Sequence, residues 1–94
     1  MNKEEILNTA ITLISEDRNH VHGDYAVNHA NIASLWSAYK NIEITAKDVA
    51  LMMALLKIAR TKTGEFNQDD FIDACGYLGI AGDLASYKER SMDF

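Results

Sequence analysis

The chain contains no proline, a single cysteine, and no apolar run long enough to cross a bilayer. Without proline and without any low-complexity stretch, the composition is that of a globular protein and not of a disordered linker. Cys75 has no internal disulfide partner, and it sits within an apolar helical pattern as a small buried hydrophobe would, so a reducing, cytoplasmic setting is expected. The opening MNKEEIL lacks a signal-peptide core, and the most apolar run, Val49 to Ala59, is too short to span a membrane. Neither export nor insertion is expected. Basic residues are also scarce: nine against fourteen acids, a net charge of −5. Such a balance repels a phosphate backbone, so general nucleic-acid binding is not expected.

What is present is helical periodicity. From Lys3 to about Ser15, the residues Ile6, Leu7, Ala10, Ile11 and Ile14 recur at helical spacing, with Asn2 and Glu5 as an N-cap and its reciprocal partner. A second pattern runs from Tyr25 to about Lys40 behind Asp24 as N-cap. Thr45 with Asp48 forms a capping-box variant ahead of VALMMALLKIA, which is apolar on nearly every side. That helix, ending near Thr61, is expected to be central and covered by the others. A turn at Gly64 and a cap in Asn67-Gln-Asp-Asp70 lead into a fourth helix, predicted to reach about Arg90. Gly76, Gly79 and Gly82 recur at every third residue of it. Each costs roughly 1 kcal/mol against alanine in an exposed helix interior, which points to close backbone contact, with packing inside the chain slightly favoured over a dimer seam. No period-two alternation persists. The expected fold is all-α, a single domain over residues 1–94 in a compact four-helix arrangement. At this length the core is thin, and a homo-oligomer is expected.

The candidate chemistry falls in two places. Lys57 and Arg60 lie three residues apart on the third helix, and the hairpin to the fourth brings them opposite Asp69 and Asp73, themselves four residues apart on one side. An interhelical salt-bridge network and an anion site both fit that pattern. In the second reading, Lys57 and Arg60 hold phosphate oxygens, Arg60 through its planar fork, while the carboxylates orient the ligand or carry a metal. The other place is EDRNHVHGDYAVNH at 16–29, which holds every histidine of the chain. Asp17-Arg18-Asn19 would follow the first helix. His22-Gly23-Asp24 would precede the second, whose free N–H groups attract an anion beside Arg18. His20, His22 and His29 do not follow a zinc spacing, so no metal ligand is assigned. Cys75 in a core helix, and the absence of a serine in a strained glycine turn, leave no catalytic nucleophile. Trp36, Tyr39 and Tyr77 are read as core aromatics.

Together, DRN at 17–19, HGD at 22–24, Asn28, IASLWSAY at 32–39, ITAKDVALMMALLKIAR at 44–60 and DDFIDACGYLGIAGDL at 69–84 resemble a family of small phage and prophage proteins. The resemblance spans roughly residues 5 to 85, with departures at His22, where the family has tyrosine, and at Tyr25, where it has proline. More distantly, the Lys-x-x-Arg helix followed by an Asp-x-x-x-Asp-x-x-x-Tyr helix is similar to the nucleotide-modification-associated and MazG-like all-α nucleotide pyrophosphatases. That similarity implies handling of nucleoside phosphates. In the MazG-like enzymes two acidic helices bind magnesium and activate water. Only Asp69 and Asp73 match that set here, so binding is expected more than hydrolysis and no catalytic residue is assigned. The resemblance implies a phage-type protein in the host-cell cytoplasm that binds a phosphorylated nucleotide or nucleotide-derived signal, such as a cyclic oligonucleotide, and sequesters a defence signal. Arg18, Lys57 and Arg60 are then anion contacts, completed by Asn19, His22, Asp69 and Asp73. No cofactor is expected unless the protein is a magnesium-dependent pyrophosphatase, the first alternative. The second is an acidic helical inhibitor of a host or defence protein.

Overall fold

The capping residues set where each helix begins. A computed structural model describes residues 1–15 and 24–92, with side chains as far as Ser86. Helix α1 (Lys3–Ile14) starts at Asn2, whose side chain accepts the Glu5 N–H at 2.9 Å while the Glu5 carboxylate accepts the Asn2 N–H at 3.3 Å. Helix α2 (Tyr25–Lys40) starts at Asp24, which accepts the Ala26 N–H at 2.8 Å, and stops at Asn41 in the left-handed region, φ 57°. Helix α3 (Ala46–Arg60) has the reciprocal Thr45–Asp48 box, with bonds of 3.1 and 3.0 Å. Helix α4 (Gln68–Met92) follows Asn67, whose side chain accepts the Asp69 N–H at 3.0 Å. The described residues form these four helices and no strand, as the periodicity implies.

Short connections make α2 and α3, and then α3 and α4, antiparallel neighbours. The first turn is pinned by Ser37, whose hydroxyl donates to the Ile44 carbonyl at 3.0 Å and accepts the Ile44 N–H at 2.8 Å. Helix α4 packs chiefly against α3, and α1 lies across α4. At their meeting point Ala50, Ile80 and Ala81 are buried, with Ile14, Tyr25, Tyr77 and Leu84 packed around them. The Tyr25 hydroxyl donates to the Asp83 carboxylate, tying the start of α2 to α4.

The core is built of small side chains. Of the nine buried apolar residues among those described, six are alanines; only Val49, Ile72 and Ile80 are larger. Small residues let helix backbones approach closely, but each removes little apolar area from water. Helix α3 is therefore not covered all round as its pattern predicts. It buries Val49, Ala50 and Ala54 while Leu51, Leu55, Leu56 and Ile58 remain exposed. Tyr39 is also not the core aromatic expected, being 87% exposed. The number of elements cannot enclose so many large side chains.

The glycine series of α4 divides. A Cβ on Gly76 would meet Ile14 Cγ2 at 3.1 Å, and one on Gly79 would meet Ile14 Cδ1 at 3.3 Å, so these two glycines admit α1. Packing within the chain accounts for both. Nothing stands within 4 Å at Gly82. Gly82→Ala is expected to raise unfolding stability by about 0.5–1 kcal/mol in urea titrations. Gly79→Ala should be near neutral because Cδ1 is the free end of Ile14, and Gly76→Ala should destabilise because Cγ2 is fixed to the branched carbon.

The Asp48 carboxyl is held below its ordinary value of 3.8 by the Thr45 backbone N–H first, then by the Thr45 hydroxyl and the Lys47 charge. A depressed folded-state value means that this stabilisation is fully present above the ordinary value and is lost as pH falls through the folded one. Asp48→Asn should therefore flatten the acid limb of a stability-versus-pH curve below about pH 4, with little change in its shape near neutrality. A wild-type acid limb in the variant would show that the charge on Asp48 contributes nothing to it.

Candidate functional site at the α3–α4 connection

The last turn of α3 and the first turns of α4 face each other across a seven-residue connection, 61–67, whose course is set by local bonds. Thr61 and Lys62 donate their N–H groups back to Ile58 and Ala59 at 3.1 and 3.2 Å, finishing α3 with tighter turns. Gly64 then takes φ 76°, a left-handed conformation natural to glycine. The chain reverses, and Asn67 caps α4.

The reversal leaves an open pocket of about 420 Å³. Lys57 and Arg60 line it from α3, Thr63, Glu65 and Asn67 from the connection, and Asp69, Asp70 and Asp73 from α4. Four residues named from spacing alone, Lys57, Arg60, Asp69 and Asp73, are thus brought together. Arg18, Asn19 and His22 lie outside the described residues.

Within the pocket the charges are unevenly matched. Lys57 Nζ lies 3.1 Å from an Asp73 carboxylate oxygen, and both side chains are partly shielded. It is the one ion pair among the described residues, so the network of two cations and two acids reduces to a single bridge. Arg60 is exposed and has no charged partner among them. Four carboxylates, those of Glu65, Asp69, Asp70 and Asp73, surround two cations. A bare anion gains from Arg60 but is opposed by the acids beyond it. A ligand with a phosphate at one end and hydrogen-bond donors at the other satisfies both groups.

Thr63, Glu65, Asn67 and Asp70 were not singled out as pocket residues. Asn67 and Asp70 entered only as capping residues, and a cap uses one oxygen while leaving the rest of the side chain free for a ligand. The available signal was the connection itself, a polar segment joining two helices that already carried opposed charges.

His29, considered with the loop histidines, lies on α2 and is buried. Its Nδ1 is 2.7 Å from the Tyr25 carbonyl, which can only accept, so Nδ1 carries a proton and donates, and the ring's other nitrogen is Nε2. That atom has no partner among the described residues, and the ring meets Tyr77 edge-on at 6.2 Å. No group of three or more candidate metal ligands occurs among the described residues. No helix among them is long and apolar enough to cross a membrane.

Residues 5–85 match the model of a family described as a domain of unknown function, DUF6378. The chain is 47% identical over 76 residues to the Gene 55 protein of Mycobacterium phage L5, an alignment covering 80% of this chain and 49% of that protein. It is 43% identical over 76 residues to the Gene 55 protein of Mycobacterium phage D29, covering 81% of this chain and 50% of that one. The chain therefore spans about half the length of these relatives. No solved structure matches.

A double-mutant cycle on Lys57→Met and Asp73→Asn should give a coupling energy of about 0.5–1 kcal/mol that shrinks with added salt. A coupling near zero would mean that the bridge does not help hold the mouth of the pocket.

Proposed function

We propose that this chain, which belongs to the DUF6378 family, binds a phosphorylated nucleotide or nucleotide-derived signal at the α3–α4 connection. The observation carrying this reading is Arg60, a guanidinium without an ion-pair partner among the described residues, set in an open pocket beside acids and an amide. Its planar fork suits two phosphate oxygens. Asp69 and Asp70, on the first turn of α4, are acceptors for ribose hydroxyls or base amino groups, and Asn67 supplies both donor and acceptor. Lys57 is secondary in this reading, because Asp73 already neutralises it.

The acid excess bears on the ligand class. Inorganic phosphate offers few donors to four carboxylates, whereas a nucleotide carries its charge and its donors at separate ends. Arg18, Asn19 and His22 complete the ligand shell in this proposal. The mode of action is stoichiometric binding, including sequestration of a cyclic oligonucleotide defence signal. A magnesium-dependent pyrophosphatase would instead hold a divalent ion through Asp69 and Asp73 with a further acid, and the ion would supply charge stabilisation and an activated water.

Titration calorimetry with nucleoside mono- and triphosphates and cyclic dinucleotides, with and without magnesium, tests the reading. Arg60→Ala is expected to weaken binding by about 10–100-fold, the loss of one charge-assisted phosphate contact of roughly 1.5–3 kcal/mol. Thermal stability without ligand should hardly change, because the side chain is exposed. Undiminished binding by Arg60→Ala would place the ligand elsewhere. Absence of heat from every nucleotide would sink the proposal, and phosphate or pyrophosphate release with magnesium would replace it with the enzymatic one.

A further inference from the structure

The hairpin of α2 and α3 turns an apolar face to water. On α3, Leu51, Leu55 and Ile58 are exposed at spacings of four and three residues, the arrangement of one helical stripe, with Met52 and Leu56 beside them. On α2 and its turn, Leu35, Tyr39 and Ile42 repeat that spacing and are exposed as well, Leu35 to 71% and Leu55 to 63%. The Ser37–Ile44 bonds hold the two helices side by side as antiparallel neighbours. We infer that this α2–α3 face is the seam of a homo-oligomer, occupied by the same face of a second copy.

Two observations favour a second copy as the occupant. The first is charge. Two copies each carrying −5 repel unless they meet where charge is absent. Between Tyr25 and Tyr39, and again between Val49 and Leu56, the sequence holds no Asp, Glu, Lys or Arg. Helices α1 and α4 also expose large apolar residues, Leu7 and Leu78 among them, but acids lie close by in sequence on both. The second is the core. Alanine-rich interiors remove little area from water, and obligate homo-oligomers complete such cores across an apolar interface. The middle of this face, Leu35, Leu51 and Leu55, lies in the charge-free stretches, with Lys40, Glu43, Lys57 and Arg60 only near its ends at Ile42 and Ile58; such a face offers little to an acidic or basic partner and meets its own copy about a two-fold axis.

Sedimentation equilibrium of the full chain from micromolar to sub-millimolar concentration tests the seam. The expected result is a mass of two or more chains, reduced to one chain by Leu35→Glu combined with Leu55→Glu. Leu7→Glu on α1 should leave the mass unchanged. Assembly and folding are linked, so the double variant could lose its helices. A second variant covers that outcome: Leu55→Cys in a Cys75→Ser background keeps the face uncharged and should be joined into a covalent dimer by a long, flexible bismaleimide, which does not require the two thiols to meet at the axis. The inference is overturned if the wild-type chain is a monomer throughout, which would assign the face to a different partner. It is equally overturned if Leu7→Glu is the variant that dissociates the assembly, or if the double variant stays folded at the wild-type mass. Failure of the Leu55→Cys variant to cross-link, with the wild-type chain assembled, would move the seam off α3. None of these outcomes depends on the nucleotide reading, because Arg60 and the pocket lie outside the face being altered.

Discussion

The close approach of α3 and α4 is the constraint on which the rest of the molecule depends. Ala50 of α3 meets Ile80 and Ala81 of α4 in the buried cluster, and α1 meets α4 where Gly76 and Gly79 leave room for Ile14. Small residues at these contacts bring backbones together and fix how the hairpin closes. That closure sets Lys57 against Asp73 and leaves Arg60 facing the first turn of α4. The pocket is therefore a product of the core. Enlarging a contact residue would move charges that never touch it.

The same economy has a cost in surface. Alanine and glycine contribute little transfer free energy, so the larger side chains of α2 and α3 are not consumed by packing within the chain. Two sequence features that look contradictory follow from this. The run VALMMALLKIA is apolar on nearly every side, yet its helix is covered on only part of its circumference. An all-round apolar helix marks a helix needing neighbours on all sides, and it does not say whether those neighbours belong to the same chain.

Local signals were therefore more legible than global ones. Asn2, Asp24, Thr45 and Asn67 announce helix starts because a cap is a contact within three residues, readable from sequence alone. That Lys57 and Arg60 face Asp69 and Asp73 is legible for a similar reason, since a short connection forces an antiparallel hairpin, whereas which cation pairs with which acid is not. Tyr39 was misread because burial is decided by the total supply of covering surface, which no local pattern records. The charge balance of the pocket was missed on the same ground. Glu65 and Asp70 become pocket residues only once the turn at Gly64 folds the connection over the hairpin end.

The two surfaces are separate on the hairpin. The pocket sits at the end of α3 that holds Arg60, among charged side chains. The apolar face runs along α2 and α3, and its middle, Leu35, Leu51 and Leu55, lies in stretches that hold no charged residue to desolvate. Ile58 and Arg60, two residues apart on one helix, mark the boundary. If the face is covered by a second copy, the last turn of α3 is braced from the side opposite α4, and the guanidinium is carried on a helix end held on two sides. Bracing of that kind lowers the ordering cost of binding without adding a contact to the ligand. The assembly and the pocket would then be coupled through the rigidity of one helix, an energetic link that works in both directions.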